Sequence, residues 1–164
     1  MAPQLPQLPQ LPTVLARVPG PAAAPGGGEE AARIRDLALT LALDPDLLGF
    51  QGHFPGDPIL PGVVQVDWAI RFGTQAFGPL GRFCGLEKVK FLGLLRPGER
   101  VELQLSWAPG RGADPAGPDT PGAGRLRFKY LAKGGVRSTG EVRFHLAEEG
   151  PGSGVAPADL QPEA

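Results

Sequence analysis

Cysteine is almost absent from this chain. Cys84 stands alone, so no internal disulfide can form, and two histidines without a Cys/His cluster supply no zinc pattern. The lone thiol reads as a small hydrophobe, buried or half-buried. A surplus of positive charge is lacking as well: 16 Lys and Arg against 17 Asp and Glu leave a net charge of −1. That balance argues against a dedicated nucleic-acid role, because little is available to neutralise phosphates. No stretch reaches the roughly 18 apolar residues of a membrane span. Prolines at every third position near the start interrupt any apolar run of the kind a secretory leader carries. The expectation is a protein of the reducing cytoplasm, with one domain and one core in its 164 residues.

Glycine and proline are abundant, at 25 and 20 residues, but unevenly spread. Most of the prolines fall in residues 1–30, in Ala108–Gly124 and beyond Gly150. The first of these stretches repeats Gln-Leu-Pro from Gln4 to Pro12 and continues in Pro, Ala and Gly, the composition of an extended, solvated arm. Residues 1–30 are therefore read as a disordered arm and 148–164 as a disordered tail. Residues 108–124 become a long flexible connection within a folded domain over 31–147.

Inside that domain the hydrophobic spacing is legible. Leu37, Leu39, Leu41 and Leu43 occupy alternate positions, as on one face of a strand. Val101, Leu103, Leu105 and Trp107 alternate with polar residues, and Leu126, Phe128 and Tyr130 alternate with Arg125, Arg127 and Lys129. After the turn signal Gly134-Gly135, Val136, Ser138, Val142 and Phe144 share a face opposite Arg137, Thr139, Glu141, Arg143 and His145, which makes a hairpin with the preceding run. Leu86–Leu95 is a shorter strand candidate with Val89 and Phe91 inward. Helical spacing occurs from Gly62 to about Ala76, entered through Pro61, where Val63, Asp67, Ile70 and Thr74 form a stripe flanked by Val66, Ala69 and Phe77. A strand, a long loop, one helix and several antiparallel strands make an α+β arrangement in which the sheet wraps the helix.

Chemistry concentrates where the loop meets the helix. Prolines 55, 58 and 61 each fix a backbone torsion, so the loop loses little entropy on being held in one shape, as a site needs when it must keep the His53 imidazole still. Asp67 sits on the stripe read as apolar; burial there would favour the protonated carboxyl, the form that donates a proton. The imidazole would be the complementary base.

The run Gly52-His53-Phe54-Pro55-Gly56-Asp57-Pro58, followed by Pro61-Gly62-Val63 and an acidic residue at 67, resembles the active-site segment of bacterial 3-hydroxyacyl-[acyl-carrier-protein] dehydratases. The spacing of 14 residues between histidine and carboxylate is part of the resemblance. Lys90-Phe91 to Arg96-Pro97-Gly98-Glu99 is similar to that family's strand and turn after the helix. Val64-Gln65-Val66-Asp67-Trp68-Ala69 is similar to the branch found in aryl-polyene pigment clusters (ApeI-like). The resemblance covers about Arg33 to Leu146.

It implies a hotdog fold, an antiparallel sheet wrapped around one central helix. It also implies a dimer, a homodimer or a heterodimer, in which His53 of one subunit faces Asp67 of the other. His53 would take the α-proton of a β-hydroxyacyl thioester, the Gly62 N–H would hold the thioester carbonyl, and Asp67 would assist departure of the hydroxyl as water. No metal or redox cofactor is implied. Phe54, Val63, Val66 and Ile70 would line the acyl chain, the last three serving equally well as plain core. Acyl carrier protein bearing a 3-hydroxyacyl phosphopantetheine is the implied partner, with Arg71, Arg82, Lys88, Lys90, Arg96 and Arg100 as cations to receive it. Arg71 stands where the fatty-acid enzymes usually carry Gln, and either pairs with Asp67 or points away. A thioesterase or a non-catalytic hotdog subunit would share the fold; the His-to-carboxylate spacing favours dehydration.

Overall fold

Among the described residues, alternating side chains and one helical run become six strands and an α-helix: β1 (Thr13–Pro19), β2 (Arg35–Ala42), α1 (Gly62–Phe77), β3 (Arg82–Phe91), β4 (Arg100–Ala108), β5 (Ala123–Ala132) and β6 (Gly135–His145). The structure, a computed structural model, describes residues 10–20, 35–52, 54–110 and 123–145. The strands form one sheet in the order β1-β2-β4-β5-β6-β3, with every neighbouring pair antiparallel. Leu37, Leu39 and Leu41 of β2 lie opposite Leu105, Leu103 and Val101 of β4, and Leu103 and Leu105 oppose Tyr130 and Phe128 of β5. All are buried, so the period-two pattern places one continuous apolar face against α1. Gly140 continues this face on β6 because the Phe128 ring occupies the space where a Cβ would stand. This is the α+β architecture expected, one helix held by an antiparallel sheet. Among the described residues no helix is long and apolar enough to cross a membrane.

Three expectations need correction. Thr13–Pro19 belongs to the stretch read as a disordered arm, yet it pairs along β2 from Thr13↔Ala42 to Pro19↔Leu37. The six residues between Pro12 and Pro19 keep their N–H groups and are rich in strand formers, and β2 offers an otherwise open edge. Just before the strand, Pro12 is buried, Leu11 packs on the core, and the Gln10 carbonyl accepts a 3.1 Å hydrogen bond from Trp68 Nε1. The rest of the arm, residues 1–9 and 21–30, lies outside the described residues, as do residues 31–34. So do most of the proposed connection, 111–122, residues 146–147 and the whole tail, 148–164.

The second correction concerns β3. It begins at Arg82, and Phe91 is exposed instead of inward, while Val89 is half-buried. A register shift between Glu87 and Lys90, with Lys88 in the left-handed region at φ 53°, breaks the alternation on which the inward reading depended. As a sheet edge, β3 also leaves Cys84 exposed, where a buried or half-buried thiol was expected.

The third is the orientation of α1. Its buried residues are Val64, Gln65, Val66, Trp68, Ala69, Phe72 and Gly73. The stripe Val63, Asp67, Ile70 and Thr74 is the open side: Val63 and Thr74 are exposed, Asp67 and Ile70 half-buried. Trp68 and Phe72 carry more apolar area than Val63 and Ile70 together offer in competition, so burying them turns the helix the other way.

Candidate functional site at the start of the helix

Pro61 enters α1 with φ −59°, and its carbonyl accepts from the backbone N–H groups of Val64 and Gln65 at 3.1 and 3.2 Å. No side chain caps the helix. The Gly62 N–H belongs to the first-turn donors that have no acceptor within a helix. Gly62 also suits its packing: a Cβ there would overlap the Phe91 ring unless that ring moved. Close approach on the Cβ side of this glycine is thus made by Phe91 of the same protein.

The loop leading into the helix is tied down at its C-terminal end. Leu60 is buried and donates its N–H to the Leu95 carbonyl at 2.8 Å. Asp57 forms an ion pair with Arg96, joining the loop to the turn before β4. Phe54, at the other end, is exposed.

Asp67 lies between the first and second turns of α1 with its side chain 32% exposed. Arg71 NH1 approaches Asp67 Oδ2 at 3.5 Å, so of the two arrangements left open for Arg71 the structure adopts the pair. Exposure on both sides keeps this ion pair energetically small. Beneath the helix, burial, with the Asp67 charge adding to it, pushes the Tyr130 phenol well above its ordinary value of 10.0. Tyr130 therefore remains a donor, and its Oη gives a 2.7 Å hydrogen bond to the Gln65 carbonyl.

Gln65, Tyr130 and Ser138 form a buried polar cluster that was not singled out from the sequence as a site. Gln65 Nε2 donates to the Leu60 carbonyl at 3.1 Å, and Ser138 Oγ lies 2.6 Å from Gln65 Oε1. Two signals of it were visible: Gln65 is in helical phase with Ala69 and Phe72, and Ser138 interrupts an otherwise apolar strand face.

Gly62, Val63, Val66, Asp67 and Ile70 all lie on α1, but on different faces: Val66 is buried in the core, Ile70 packs partly against it, and Val63 is 78% exposed. His53 lies outside the described residues. Of the six cations considered for a carrier protein, Arg71 and Arg96 are paired with Asp67 and Asp57, while Arg82, Lys88 and Lys90 stand exposed on β3. A groove of about 730 Å³ lies away from α1, on the outer face of the sheet, with Ala38, Gln104, Arg127 and Glu141 among its lining. Its walls include no residue of the helix, so the chemistry is better sought at α1.

Residues 29–114 match the family described as ApeI-like, ApeI dehydratase. The chain belongs to that dehydratase family. A 3-hydroxyacyl-[acyl-carrier-protein] dehydratase FabZ from Caldanaerobacter subterraneus subsp. tengcongensis is 35% identical over 109 residues, covering 61% of this chain and 70% of that protein. The corresponding protein of Thermoanaerobacter sp. is 34% identical over 110 residues, covering 62% and 70%. Among solved structures, the dehydratase heterocomplex ApeI:P from Xenorhabdus doucetiae superposes with a TM-score of 0.58 at 28% identity, over 82% of this chain and 97% of that one. An uncharacterized protein from Erwinia carotovora subsp. atroseptica gives the same TM-score and identity over 81% and 94%. The fold of this ApeI-like chain is the hotdog fold, with α1 as the central helix.

Proposed function

We propose that this ApeI-like protein removes water from a 3-hydroxyacyl thioester carried on acyl carrier protein, giving the trans-2-enoyl thioester. The observation that carries this reading is the pairing, on one short helix, of an N-terminus without a side-chain cap at Gly62 and a partly exposed carboxylate at Asp67. His53, on the loop entering that helix, is the base that takes the α-proton. The electron pair shifts toward the thioester oxygen, which the Gly62 N–H and the helix N-terminus stabilise. As the Cα–Cβ double bond forms, the C–O bond at Cβ breaks, and Asp67 supplies the proton with which hydroxide leaves as water.

The open edge of β3 supports a dimer. Phe83, Leu86 and Phe91 on this strand, and Leu92 and Leu94 beyond it, are exposed together. A long apolar sheet edge invites pairing and calls for a cover. In the dimer that the family resemblance implies, His53 of one chain would serve Asp67 of the other, so that each site draws residues from two chains. A different but related subunit would do the same, and the likeness to a structure named a heterocomplex favours including that case.

Incubating the purified protein with 3-hydroxyacyl carrier protein and following its intact mass tests the proposal. Loss of one water supports it. Release of carrier-protein thiol would replace dehydration by hydrolysis, and turnover only on addition of a second subunit would establish the heterodimer.

A further inference from the structure

We propose that Gln65 is a positioning residue, whose side-chain amide clamps the turn Leu60–Gly62 and so aims the Gly62 N–H at the thioester carbonyl. This rests on the dehydratase reading and assigns that site a residue that touches neither substrate nor proton.

Gln65 is only 3% exposed, and Tyr130 and Ser138 are fully buried, so each hydrogen bond among them lies out of reach of water. The Leu60 carbonyl can only accept, which fixes the amide nitrogen toward it; Oε1 then faces Ser138, whose hydroxyl donates. Leu60 is thereby held at both of its backbone groups, its N–H by Leu95 and its carbonyl by Gln65.

From that carbonyl to the Gly62 N–H the chain has almost no freedom. The Leu60–Pro61 peptide is planar, and the ring fixes φ of Pro61. The next peptide plane carries both the Pro61 carbonyl and the Gly62 N–H, pointing in opposite directions, and that carbonyl is engaged by Val64 and Gln65. Gln65 therefore acts on both planes, through its backbone N–H and through its side chain. Tyr130 and Ser138 extend the hold to β5 and β6, so the direction of the Gly62 N–H is referred to the sheet. An electrostatic donor works by being aimed before the charge develops, and small misplacements near a reacting centre cost up to about 100-fold in rate.

The test uses the full chain with Gln65→Met, which keeps the side-chain length without the amide, and Ser138→Ala, which leaves the bond to Leu60 but removes its anchor. Steady-state kinetics on 3-hydroxyacyl carrier protein should show kcat lowered about 10- to 100-fold in Gln65→Met and by a smaller factor in Ser138→Ala, with KM little changed. Amide hydrogen exchange should speed up at residues 60–66 ahead of the rest of the chain. A folded Gln65→Met protein with kcat within twofold of wild type overturns the proposal, as does faster exchange spread evenly over all segments. If Gln65→Met does not fold, Ser138→Ala decides: unchanged kcat and unchanged exchange at 60–66 reject the clamp. Should the wild-type protein dehydrate nothing, the dehydratase reading falls by itself, and the exchange pattern still decides whether Gln65 holds the turn.

Discussion

Placing an alanine at position 62 should reveal why the helix begins with glycine. A Cβ at this point overlaps the Phe91 ring. Forcing extra volume into a packed contact costs about 1–3 kcal/mol. Alanine recovers part of this, because it is the better helix former by up to about 1 kcal/mol in a helix interior, and by less at the first position. Phe91 is 54% exposed, so its ring can swing toward solvent, which places the packing cost at the lower end. The expected net loss for Gly62→Ala is about 1 kcal/mol, a fall in Tm of about 4 °C for a domain of this size. With Phe91→Ala the obstruction is gone, and the same change at 62 should become neutral or slightly stabilising. The two substitutions should therefore be coupled by about 1–2 kcal/mol, against the few tenths expected of independent sites. Urea denaturation followed by circular dichroism on all four proteins, at one protein concentration, measures the coupling. Additivity within about 0.5 kcal/mol would refute the contact as the reason for Gly62.

Asp67→Asn and His53→Ala should each lower turnover by orders of magnitude in the carrier-protein assay, and Asp67→Asn should leave thermal stability nearly unchanged because the side chain is partly solvated. Near-wild-type rates in either variant would remove the pair from the mechanism. Leu86→Lys, on the exposed edge of β3, should shift the protein to monomer in sedimentation velocity and abolish activity with it, since the site is expected to span two chains. For Tyr130 the folded-state pKa lies above the unfolded value of 10.0, so the folded protein retains a proton that the unfolded chain releases. Its contribution is fully present below pH 10 and is lost as pH rises through the folded value. Urea midpoints measured from pH 9 upward should thus fall more steeply for wild type than for Tyr130→Phe.

Much of the fold is written in local spacing. Strands β2, β4 and β5 each bury one face of the sheet and leave the other more open, so their alternation is visible in one dimension, while β6 departs from it where Gly140, Glu141 and Val142 are all buried. The limits of α1 follow from Pro61 before it and Gly78 after it. The loop from Gly52 to Pro61 and the carboxylate at 67 carry a resemblance specific enough to name the family, because several Gly and Pro positions must coincide with ionisable residues. Sequence alone thus determined the class of fold and the extent of the helix, and it singled out the residues proposed to act.

Other features depended on contacts between distant segments. Val63, Asp67, Ile70 and Thr74 do share a stripe, but spacing says only which residues lie together, and the rival face holding Trp68 and Phe72 is the one buried. The edge strands resisted a burial-based reading for a related reason: β1, with every residue exposed, was missed, and the bulge in β3 interrupts its phase, so its inward side was misread. Gln65 joins Leu60, Tyr130 and Ser138 across up to 73 positions of sequence. A buried amide is tolerable only when its partners arrive from elsewhere in the chain, and only the folded arrangement of helix, loop and sheet brings them to it.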